Sequence, residues 1–541
     1  MMKVLGMLLL VLSSVACGTS ESPAADGGDT QSRAVALPEQ RPTPLLLISI
    51  DGFRVDYQER AATPNLDQLV GEGVAAEGLV HVFPTKTFPT HYSMVTGLYA
   101  ENHGVVANSM WDPDRERSFS LRNREAVMNP AWYDGEPIWH TAERQGLISG
   151  TFFWPGSEAP IGGRHATYWK PYDASVPHLE RIDQILAWLD LPHAERPDFM
   201  TLYFSRVDSL GHGLGPGAPE VAAAVAELDA DIGVLLAGLE ERGLLGQMHI
   251  LVVSDHGMSN IDPERYIYLD DYLRMSGVHV SDWGPAAQIW AGELDADAIV
   301  KALTGVNRRM RVWKKADTPE HYHFSDHARI ADVIVEADHG WMISTRQHMA
   351  GRMGPPTRGM HGWDPQHHEM AGIFIGHGPA FRSGATLPRV ESVHLHELMA
   401  HLLGIDPAPN DGSLAAFAGV LATGLATGLD AEVGPVPDVP PMLFGERRPD
   451  VGRAVNLAAA GLNTHQRRRV FTLAGALHWN CEDELCHLYL SDGEQRLELV
   501  AKGFTVSPTT AVGKAIVQGQ LEVEDNRSLR LDVTSMLVMA P

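Results

Sequence analysis

The sequence is poor in basic residues and in cysteine, and both deficits narrow the range of functions. Its 541 residues include 42 Lys and Arg against 68 Asp and Glu, which gives a formal net charge of −26. Because binding along a nucleic-acid backbone requires a basic surface, a nucleic-acid polymer is not expected as a partner. A hydrophobic fraction of 44% excludes a largely disordered chain. An anionic substrate must therefore be attracted locally, as bound divalent cations would do.

The first residues have the pattern of an export signal. A basic residue precedes the short apolar run Val4 to Leu12, and small residues lead to Cys17. The run is too short to span a membrane as a mature helix. Cys17 stands where a bacterial lipoprotein is cleaved and acylated, and plain signal-peptidase cleavage after Ala16 is the alternative. We predict a signal at residues 1–17, a flexible tether at 18–43, and an exported protein in the periplasm or anchored to the cell envelope.

The C-terminal part of the chain differs in composition from the rest. The proline-rich stretch 434–450 predicts a linker, and short alternating runs within 451–541 predict a small β-rich domain of unknown role. The chain has 3 cysteines, so removal of Cys17 leaves Cys481 and Cys486. In an exported protein, a pair so close in sequence predicts a hairpin disulfide rather than a metal site.

Three continuous apolar runs are typical of strands buried on both faces: Leu45 to Ile50, Phe199 to Phe204 and His249 to Val253. Segments with helical spacing lie between them, notably Asn65 to Glu72, Glu180 to Leu189 and Pro219 to Arg242. This alternation predicts an α/β domain at residues 44–433, with a central, mostly parallel sheet flanked by helices. In such sheets, ligands bind beyond the carboxyl ends of the strands.

The segment Pro84 to Tyr92 offers a hydroxyl group, that of Thr87, near a proline that favours a helix start. Peptide N–H groups at a helix start favour a developing anion, which suggests phosphate chemistry. A threonine hydroxyl is a weak nucleophile at neutral pH, so this interpretation needs a metal or a base nearby. Taken alone, Thr-x-Pro is also a common helix-entry signal, with the threonine as a cap.

Aspartate and histidine occur together in motifs that also contain glycine, which permits tight turns and close approach to an ion. Carboxylate and imidazole without thiolate suit zinc or another first-row divalent ion better than magnesium or calcium. Each motif alone also fits an ordinary turn or helix cap, and only their joint occurrence indicates a metal centre. The candidate ligands are Asp51, the pair Asp208 and His212, the pair Asp255 and His256, and His361.

Taken in order, these motifs make the chain resemble the nucleotide pyrophosphatase/phosphodiesterase family of the alkaline phosphatase superfamily, from about Leu45 to Val420. Two positions depart from the family pattern, Thr90 where asparagine is usual and Trp363 where tyrosine is usual. Neither is a ligand position. The matching segments are Ile48 to Arg54, Lys86 to Pro89, His91 to Tyr99, Phe153 to Ser157, Asp208 with His212, Asp255 to Gly257, and His361 to Asp364.

The resemblance implies an alkaline-phosphatase-like fold with two Zn²⁺ ions per chain. It implies that Asp208, His212 and His361 hold one ion, and that Asp51, Asp255, His256 and the Thr87 oxygen hold the other. Asn108 matches the amide that donates a hydrogen bond to a non-bridging phosphate oxygen. A slot for the organic part of the substrate maps onto Phe88, Leu121 and Tyr172, with Trp154 near it; core packing is the alternative for these four.

The resemblance thus implies a phosphodiesterase that cleaves nucleotide diesters, such as nucleoside triphosphates, dinucleotides and nucleotide sugars, to nucleoside monophosphates through a phosphothreonyl intermediate. A lysophospholipid or choline-type phosphodiesterase that uses the same site is the main alternative. Ala126 stands where some nucleotide-selective relatives carry lysine, which weakens a claim of tight purine preference. A monoesterase is disfavoured because the matched motifs contain no extra basic clamp. A non-catalytic binding module is disfavoured because every ligand position is intact.

Overall fold

A computed structural model describes residues 41–351 and 356–422, together with the backbone of seven strands between Met442 and Val538. The predicted signal at 1–17 and almost all of the predicted tether at 18–43 lie outside these residues. Within them, no helix is both long and apolar enough to cross a membrane.

An eight-stranded sheet forms the centre of the fold, and all but one of its strands run in the same direction. The exception is Phe374–His377, which is antiparallel to both of its neighbours. The order across the sheet is Ala385–Leu387, Val74–Ala76, Phe374–His377, His249–Val253, Leu45–Ile50, Phe199–Phe204, Ser149–Phe152 and Tyr168–Trp169. The predicted mostly parallel α/β sheet is therefore confirmed, and its three predicted strands lie side by side at its centre.

The central strands are continuous apolar runs because both faces of the sheet are covered. Alternate residues of Leu45–Ile50 belong to two separate hydrophobic clusters, with Leu45 and Leu47 in one and Leu46 and Ile48 in the other. Helices and neighbouring strands contribute further residues to both clusters, so each face of the sheet is covered. The helices are Pro64–Glu72, Thr87–Thr96, Ala100–His103, Arg124–Val127, Ile138–Arg144, His178–Leu189, Arg206–Leu214, Pro219–Glu241, Ala296–Leu303, Arg346–Ala350 and Leu395–Leu403.

A second, antiparallel sheet lies within the segment between His256 and His361, and the sequence analysis did not predict it. Its order is His279–Asp282, Ala286–Trp290, Val333–Ala337 and Met310–Lys314. Short two-stranded ladders join Leu79–Val80 to Val390–Glu391, Ser109–Asp112 to Arg117–Ser120, Ser259–Asn260 to Gly359–Met360, and Tyr266–Tyr268 to Met342–Ser344. Short 3-10 helices are Pro130–Trp132, Ile161–Gly163, Leu269–Asp271, Lys315–Asp317, Glu320–Tyr322, His368–Met370, Ser392–His394 and Leu414–Phe417.

The described C-terminal residues are β-strands that form one sheet. The first of them, Met442–Phe444, lies inside the stretch 434–450 that composition predicts to be a linker, and it pairs with Leu529–Val538. Cys481 and Cys486 are register partners on two antiparallel strands. The domain boundaries and the disulfide stay predictions. The strands are Met442–Phe444, Val455–Asn456, Val470–Glu482, Leu485–Ser491, Arg496–Ala501, Lys514–Val523 and Leu529–Val538.

Candidate metal centre and active site

One group of candidate ligands, the inner group, follows two adjacent parallel strands. Asp51 directly follows Leu45–Ile50, while Asp255 and His256 follow His249–Val253 after one residue. His256 Nε2 lies 3.4 Å from Asp51 Oδ1 and 3.0 Å from Asp255 Oδ2. All three side chains are buried, with at most 2% of any residue exposed. The inner group therefore arises from the parallel pairing of the strands, as the sequence predicts.

The second group of candidate ligands, the outer group, comes from one helix and one loop. Asp208 and His212 are one turn apart on helix Arg206–Leu214, and His212 Nε2 lies 3.3 Å from Asp208 Oδ1. His361 Nε2 lies 3.2 Å from His212 Nε2 and 3.8 Å from Asp208 Oδ1. Solvent reaches this group, since the His212 side chain is 30% exposed. The two groups meet at His256, whose ring stacks on that of His361 with centroids 3.3 Å apart.

Three buried carboxylate oxygens of these groups have no hydrogen-bond partner: Asp51 Oδ1, Asp208 Oδ1 and Asp255 Oδ2. Buried acceptors without a partner are rare in folded proteins, and such oxygens facing imidazole nitrogens are what a cation would satisfy. Ligand atoms of Asp51, Asp255 and His256 lie within 4.8 Å of one another, as do those of Asp208, His256 and His361. The donor set therefore fits divalent metal ions.

The electrostatics of the two groups support the same interpretation. Burial, together with the nearby Asp255 and Asp208 carboxylates, raises the pKa of Asp51 well above its usual range. Burial and the neighbouring His256 and His212 rings lower the pKa of His361 well below its usual range, which keeps its imidazole neutral. Buried acids crowded beside the neutral imidazole of His361 are an unfavourable arrangement that bound cations would stabilise.

In His212, His256 and His361, the Nδ1 atom of each ring is hydrogen-bonded to a backbone carbonyl group. This bond fixes the orientation of the ring. Nδ1 bonds the carbonyl oxygen of Gly257 in His256, of Gly359 in His212, and of Thr85 in His361, at 2.7 to 2.8 Å. All three rings therefore turn Nε2 towards the carboxylates. This outer support is what metal-binding histidines generally have.

Thr87 is the first residue of helix Thr87–Thr96 and lies beside the inner group. Its Oγ1 is 3.5 Å from His256 Nε2, at the limit of a hydrogen bond. At this helix start the Phe88 N–H donates to Asn108, Pro89 has no N–H, and the Thr90 N–H donates to the Lys86 carbonyl oxygen, which leaves the Thr87 N–H to meet an anion. The preceding residue, Lys86, is buried and forms an ion pair with Asp282 of the second sheet. The helix start that carries Thr87 is thereby fixed.

Asn108 lies next to the same helix start. Its Oδ1 accepts a hydrogen bond of 2.9 Å from the Phe88 backbone N–H, which leaves the side-chain NH₂ group to donate elsewhere. The structure thus brings the predicted nucleophile and the predicted amide donor to one place. Both are next to the inner group.

Arg329, which the sequence analysis missed, braces the segment that carries Asn108. Its buried guanidinium donates to the Gly104 carbonyl at 3.0 Å, before Asn108, and to Asp112 Oδ2 at 3.1 Å, after it. Gly104 has φ +72°, and a Cβ there would lie 2.6 Å from Arg329 Nη1, so a glycine is required. The sequence gives no signal for this role, because more than 200 residues separate Arg329 from Asn108.

Two further residues that the sequence analysis missed support the inner group. Tyr203 donates its hydroxyl hydrogen to Asp51 Oδ2. His91 Nδ1 lies 2.8 Å from the Thr87 carbonyl oxygen and 3.3 Å from Asp255 Oδ2, while its Nε2 bonds Ser49 Oγ. His91 was part of a quoted motif, and Tyr203 lies in a predicted strand, but neither spacing indicates these contacts.

The predicted slot residues differ in exposure. Leu121 and Tyr172 are each 36% exposed, and Phe88 is half-buried and packs edge to face on Phe119. Trp154 is only 2% exposed, and its indole N–H donates to the His91 carbonyl oxygen. Trp154 therefore supports the metal centre through His91. Its contact with a substrate stays a prediction.

Comparison with known proteins bears on this arrangement. The sequence pattern of the family described as type I phosphodiesterase / nucleotide pyrophosphatase matches residues 45–364, which include all the candidate metal ligands. The chain belongs to this family. The resemblance inferred from the motifs is thereby confirmed.

The chain matches only part of the length of its relatives in the type I phosphodiesterase family. Venom phosphodiesterase CdcPDE of Crotalus durissus collilineatus is 38% identical over 382 residues, which are 69% of this chain and 45% of the venom protein. Ectonucleotide pyrophosphatase/phosphodiesterase family member 1 of Rattus norvegicus is 40% identical over 382 residues, 68% of this chain and 42% of the rat protein. The chain thus spans less than half the length of these relatives.

Solved structures of the family share the fold. An inactive variant of murine ectonucleotide pyrophosphatase/phosphodiesterase 5, in complex with AMP, superposes with a TM-score of 0.67 at 34% identity, covering 70% of this chain and 100% of that one. The human counterpart has a TM-score of 0.67 at 36% identity and covers 71% of this chain. The predicted alkaline-phosphatase-like fold is consistent with this match along the whole of the murine chain.

Proposed function

We propose that this protein is a two-zinc phosphodiesterase and pyrophosphatase that cleaves nucleotide diesters to nucleoside monophosphates through a phosphothreonyl intermediate. The observation that carries the proposal is the placement of Thr87 Oγ1, 3.5 Å from His256 Nε2, beside three buried carboxylate oxygens that have no partner. Family membership supports the reaction class, and the AMP complex of the murine relative supports a nucleotide as substrate.

Six side chains would hold the two ions, Asp51, Asp255 and His256 at one site and Asp208, His212 and His361 at the other, with the Thr87 oxygen completing the first. Bound zinc would supply Lewis-acid chemistry, lowering the pKa of a coordinated hydroxyl or water and neutralising phosphate oxygens.

Thr87 and Asn108 have different roles in the proposed reaction. Thr87 Oγ1 forms the new bond to phosphorus and gives its proton to solvent, while the bond to the leaving group breaks on the opposite side and that group departs as its oxyanion, which takes a proton from solvent. Asn108 NH₂ donates to a non-bridging oxygen, and the backbone N–H of Thr87 donates to the same charge. Water then attacks the phosphothreonyl ester and releases the monoester, which restores the Thr87 hydroxyl. The exposed side of the site, at His212, is the side from which water enters.

The slot of Phe88, Leu121 and Tyr172 would hold the organic group of the diester. Tyr172 and Leu121 present exposed apolar surface there, as a platform for a flat ring requires. A base stacked on an aromatic side chain is worth about 1 to 3 kcal/mol in single-strand binding, and a similar gain is expected here. The names of the relatives, venom and ectonucleotide enzymes, also support export. We retain the anchor at Cys17 as part of the proposal, to be tested by mass spectrometry of the N-terminal peptide.

The decisive experiment is a substrate panel with identified products. Zinc-loaded protein is assayed on ATP, a dinucleoside polyphosphate, a nucleotide sugar and glycerophosphocholine, and acid-quenched samples are searched for phosphate on the Thr87 peptide. Nucleoside monophosphate as product, with phosphothreonine at position 87, is the expected result. Release of choline or phosphocholine with no nucleotide cleavage would establish the choline-type alternative instead. Phosphate release from monoesters alone would refute the diesterase.

A further inference from the structure

A buried carboxylate ties together the two walls of the slot. Leu121 and Tyr172, the exposed walls, are about fifty residues apart in sequence and lie on separate surface segments. Leu121 follows strand Arg117–Ser120, and Tyr172 comes three residues after Trp169. No strand pairing in the described residues joins these two segments directly. Something else must therefore fix the distance between them.

Glu158 makes that connection. Its Oε1 accepts a hydrogen bond of 2.9 Å from Arg124 Nη1, on the segment that carries Leu121. Its Oε2 accepts from Arg124 Nη2 and also, at 2.9 Å, from the Tyr172 backbone N–H. One carboxylate oxygen is thus shared by both walls. Glu158 itself is only 5% exposed, so these bonds lie in a poorly solvated place where charge-assisted hydrogen bonds are strong.

The surroundings of Glu158 make it a fixed point. It directly follows Trp154 to Ser157, a turn in which Ser157 donates to the Trp154 carbonyl oxygen at 2.8 Å. The Glu158 carbonyl oxygen in turn bonds His165 Nε2 at 3.1 Å. Since Trp154 is anchored to His91 beneath the metal centre, the carboxylate position is tied to the catalytic groups. The walls of the slot are therefore positioned relative to the reacting phosphorus.

We propose that the Arg124–Glu158 ion pair is a specificity-determining clamp, which sets the gap between Leu121 and Tyr172 and so selects diesters that carry a flat, nucleoside-sized group. The proposal rests on the proposed function, because it concerns the slot of that site. Contact with both walls at once requires a gap that matches the thickness of a ring, and attraction between stacked atoms falls steeply with separation. A substrate with a very small organic group gains nothing from either wall.

Two substrates that share a leaving group test the clamp. They are p-nitrophenyl thymidine 5′-phosphate, which has a nucleoside, and methyl p-nitrophenyl phosphate, which has only a methyl group. We expect Glu158→Gln and Arg124→Met each to lower kcat/KM about tenfold for the nucleoside ester and to change it less than about twofold for the methyl ester. Arg124→Met leaves the Glu158 carboxylate buried without its charged partner, so thermal unfolding of both variants is measured beside the kinetics, and Glu158→Gln, which leaves no buried charge, keeps the test decisive. Arg122→Met removes a charge from the same exposed segment without touching the pair and should change neither substrate.

Each other outcome counts against the clamp. An equal loss on both substrates would mean general damage to the site, no loss would mean that the pair does not set the gap, and an equal effect of Arg122→Met would mean that only local charge matters. The wild-type ratio tests the proposed function separately. If wild-type protein shows no preference for the nucleoside ester but prefers p-nitrophenyl phosphocholine, the nucleotide proposal fails and the clamp fails with it; if the wild type prefers the nucleoside ester and both variants keep that preference, only the clamp fails.

Discussion

The inner and outer ligand groups differ most in their access to solvent. Asp51, Asp255 and His256 of the inner group are at most 2% exposed, whereas His212 and Asp208 of the outer group have side chains 30% and 16% exposed. In the proposed reaction the inner side meets the Thr87 oxygen, and the outer side must admit water. A dry site strengthens electrostatic interactions with the attacking oxygen, while an open site lets the second step proceed. The difference in exposure therefore matches the proposed steps, with attack by Thr87 at the inner group and entry of water at the outer group.

The two groups also differ in how they are supported. Inner Asp51 and Asp255 are held by Tyr203, by His91 and by the Gly52 backbone N–H, which donates to Asp255 Oδ1 at 3.0 Å. Within the described residues, the ion-pair partners of the outer acid, Asp208 Oδ1, are the imidazoles of His212 and His361. Gly52 has φ +68°, and a Cβ there would lie 2.9 Å from the Asp208 backbone, so this position also sets the spacing between the groups. The inner group is the more rigid of the two.

The largest effect is expected from Thr87→Ala, which removes the proposed nucleophile from the inner side. Turnover of a nucleotide diester should fall by a factor on the order of 10⁴ or more, because the covalent step is lost. Metal analysis should still find both ions, since the variant removes only one oxygen ligand. Thr87→Ser keeps a hydroxyl and is the matched control. Turnover like that of the wild type in the alanine variant would rule out covalent catalysis through residue 87.

The next prediction separates the two groups by their metal content. His256 lies beside both groups, so His256→Ala should lower the zinc content at both sites and abolish activity. His212→Ala removes a partly exposed ligand of the outer group alone, and about one ion per chain should remain. Elemental analysis after dialysis against zinc-free buffer measures both. If His212→Ala loses both ions, the division into two groups is wrong; if His256→Ala loses only one, His256 serves the inner group alone and not both.

The sequence predicted the parts of this centre that come from local pattern. Asp208 and His212 are one helical turn apart, and Asp51 and Asp255 follow apolar strands, so their proximity could be inferred from parallel pairing. Arg329 and Glu158 could not be found this way, because their contacts depend on how distant segments pack. The second sheet was also missed, since its strands lie between the motifs and carry none of them. What the sequence lacks is information about the groups that hold the ligands in place.

At low pH the fold itself should lose stability. This loss limits the pH range in which the two ligand groups can be compared. Burial lowers the pKa of five histidines that are not ligands to about 3 or about 4: His81, His103, His140, His249 and His396. Below about pH 6.5 the unfolded chain binds protons at these positions and the folded chain does not, so stability falls as pH falls. Each group contributes about 1.4 kcal/mol per pH unit between its two pKa values.

Chemical denaturation at several pH values measures this loss. His140 suits the test, because neither of its ring nitrogens has a hydrogen-bond partner. In His140→Leu the decline of the unfolding free energy between about pH 6 and pH 5 should be shallower than in the wild type by about 1.4 kcal/mol per pH unit. An unchanged slope would show that His140 is not held neutral in the folded protein.

The smallest effect is expected at Arg329, which touches neither ligand group and acts through Asn108. A lysine cannot reproduce the bonds to Gly104, Asp112 and the Ala131 carbonyl, so Arg329→Lys should let Asn108 shift and lower kcat about tenfold, with KM and zinc content nearly unchanged. Arg309→Lys is the control, because Arg309 is an exposed arginine next to strand Met310–Lys314 and forms its ion pair with Asp338 rather than with the segment that carries Asn108. In an Asn108→Ala background the Arg329 substitution should add little, because the group that it positions is already gone. A full additional loss in that background would place the effect of Arg329 elsewhere, and the position of the Asn108 amide would then not depend on Arg329.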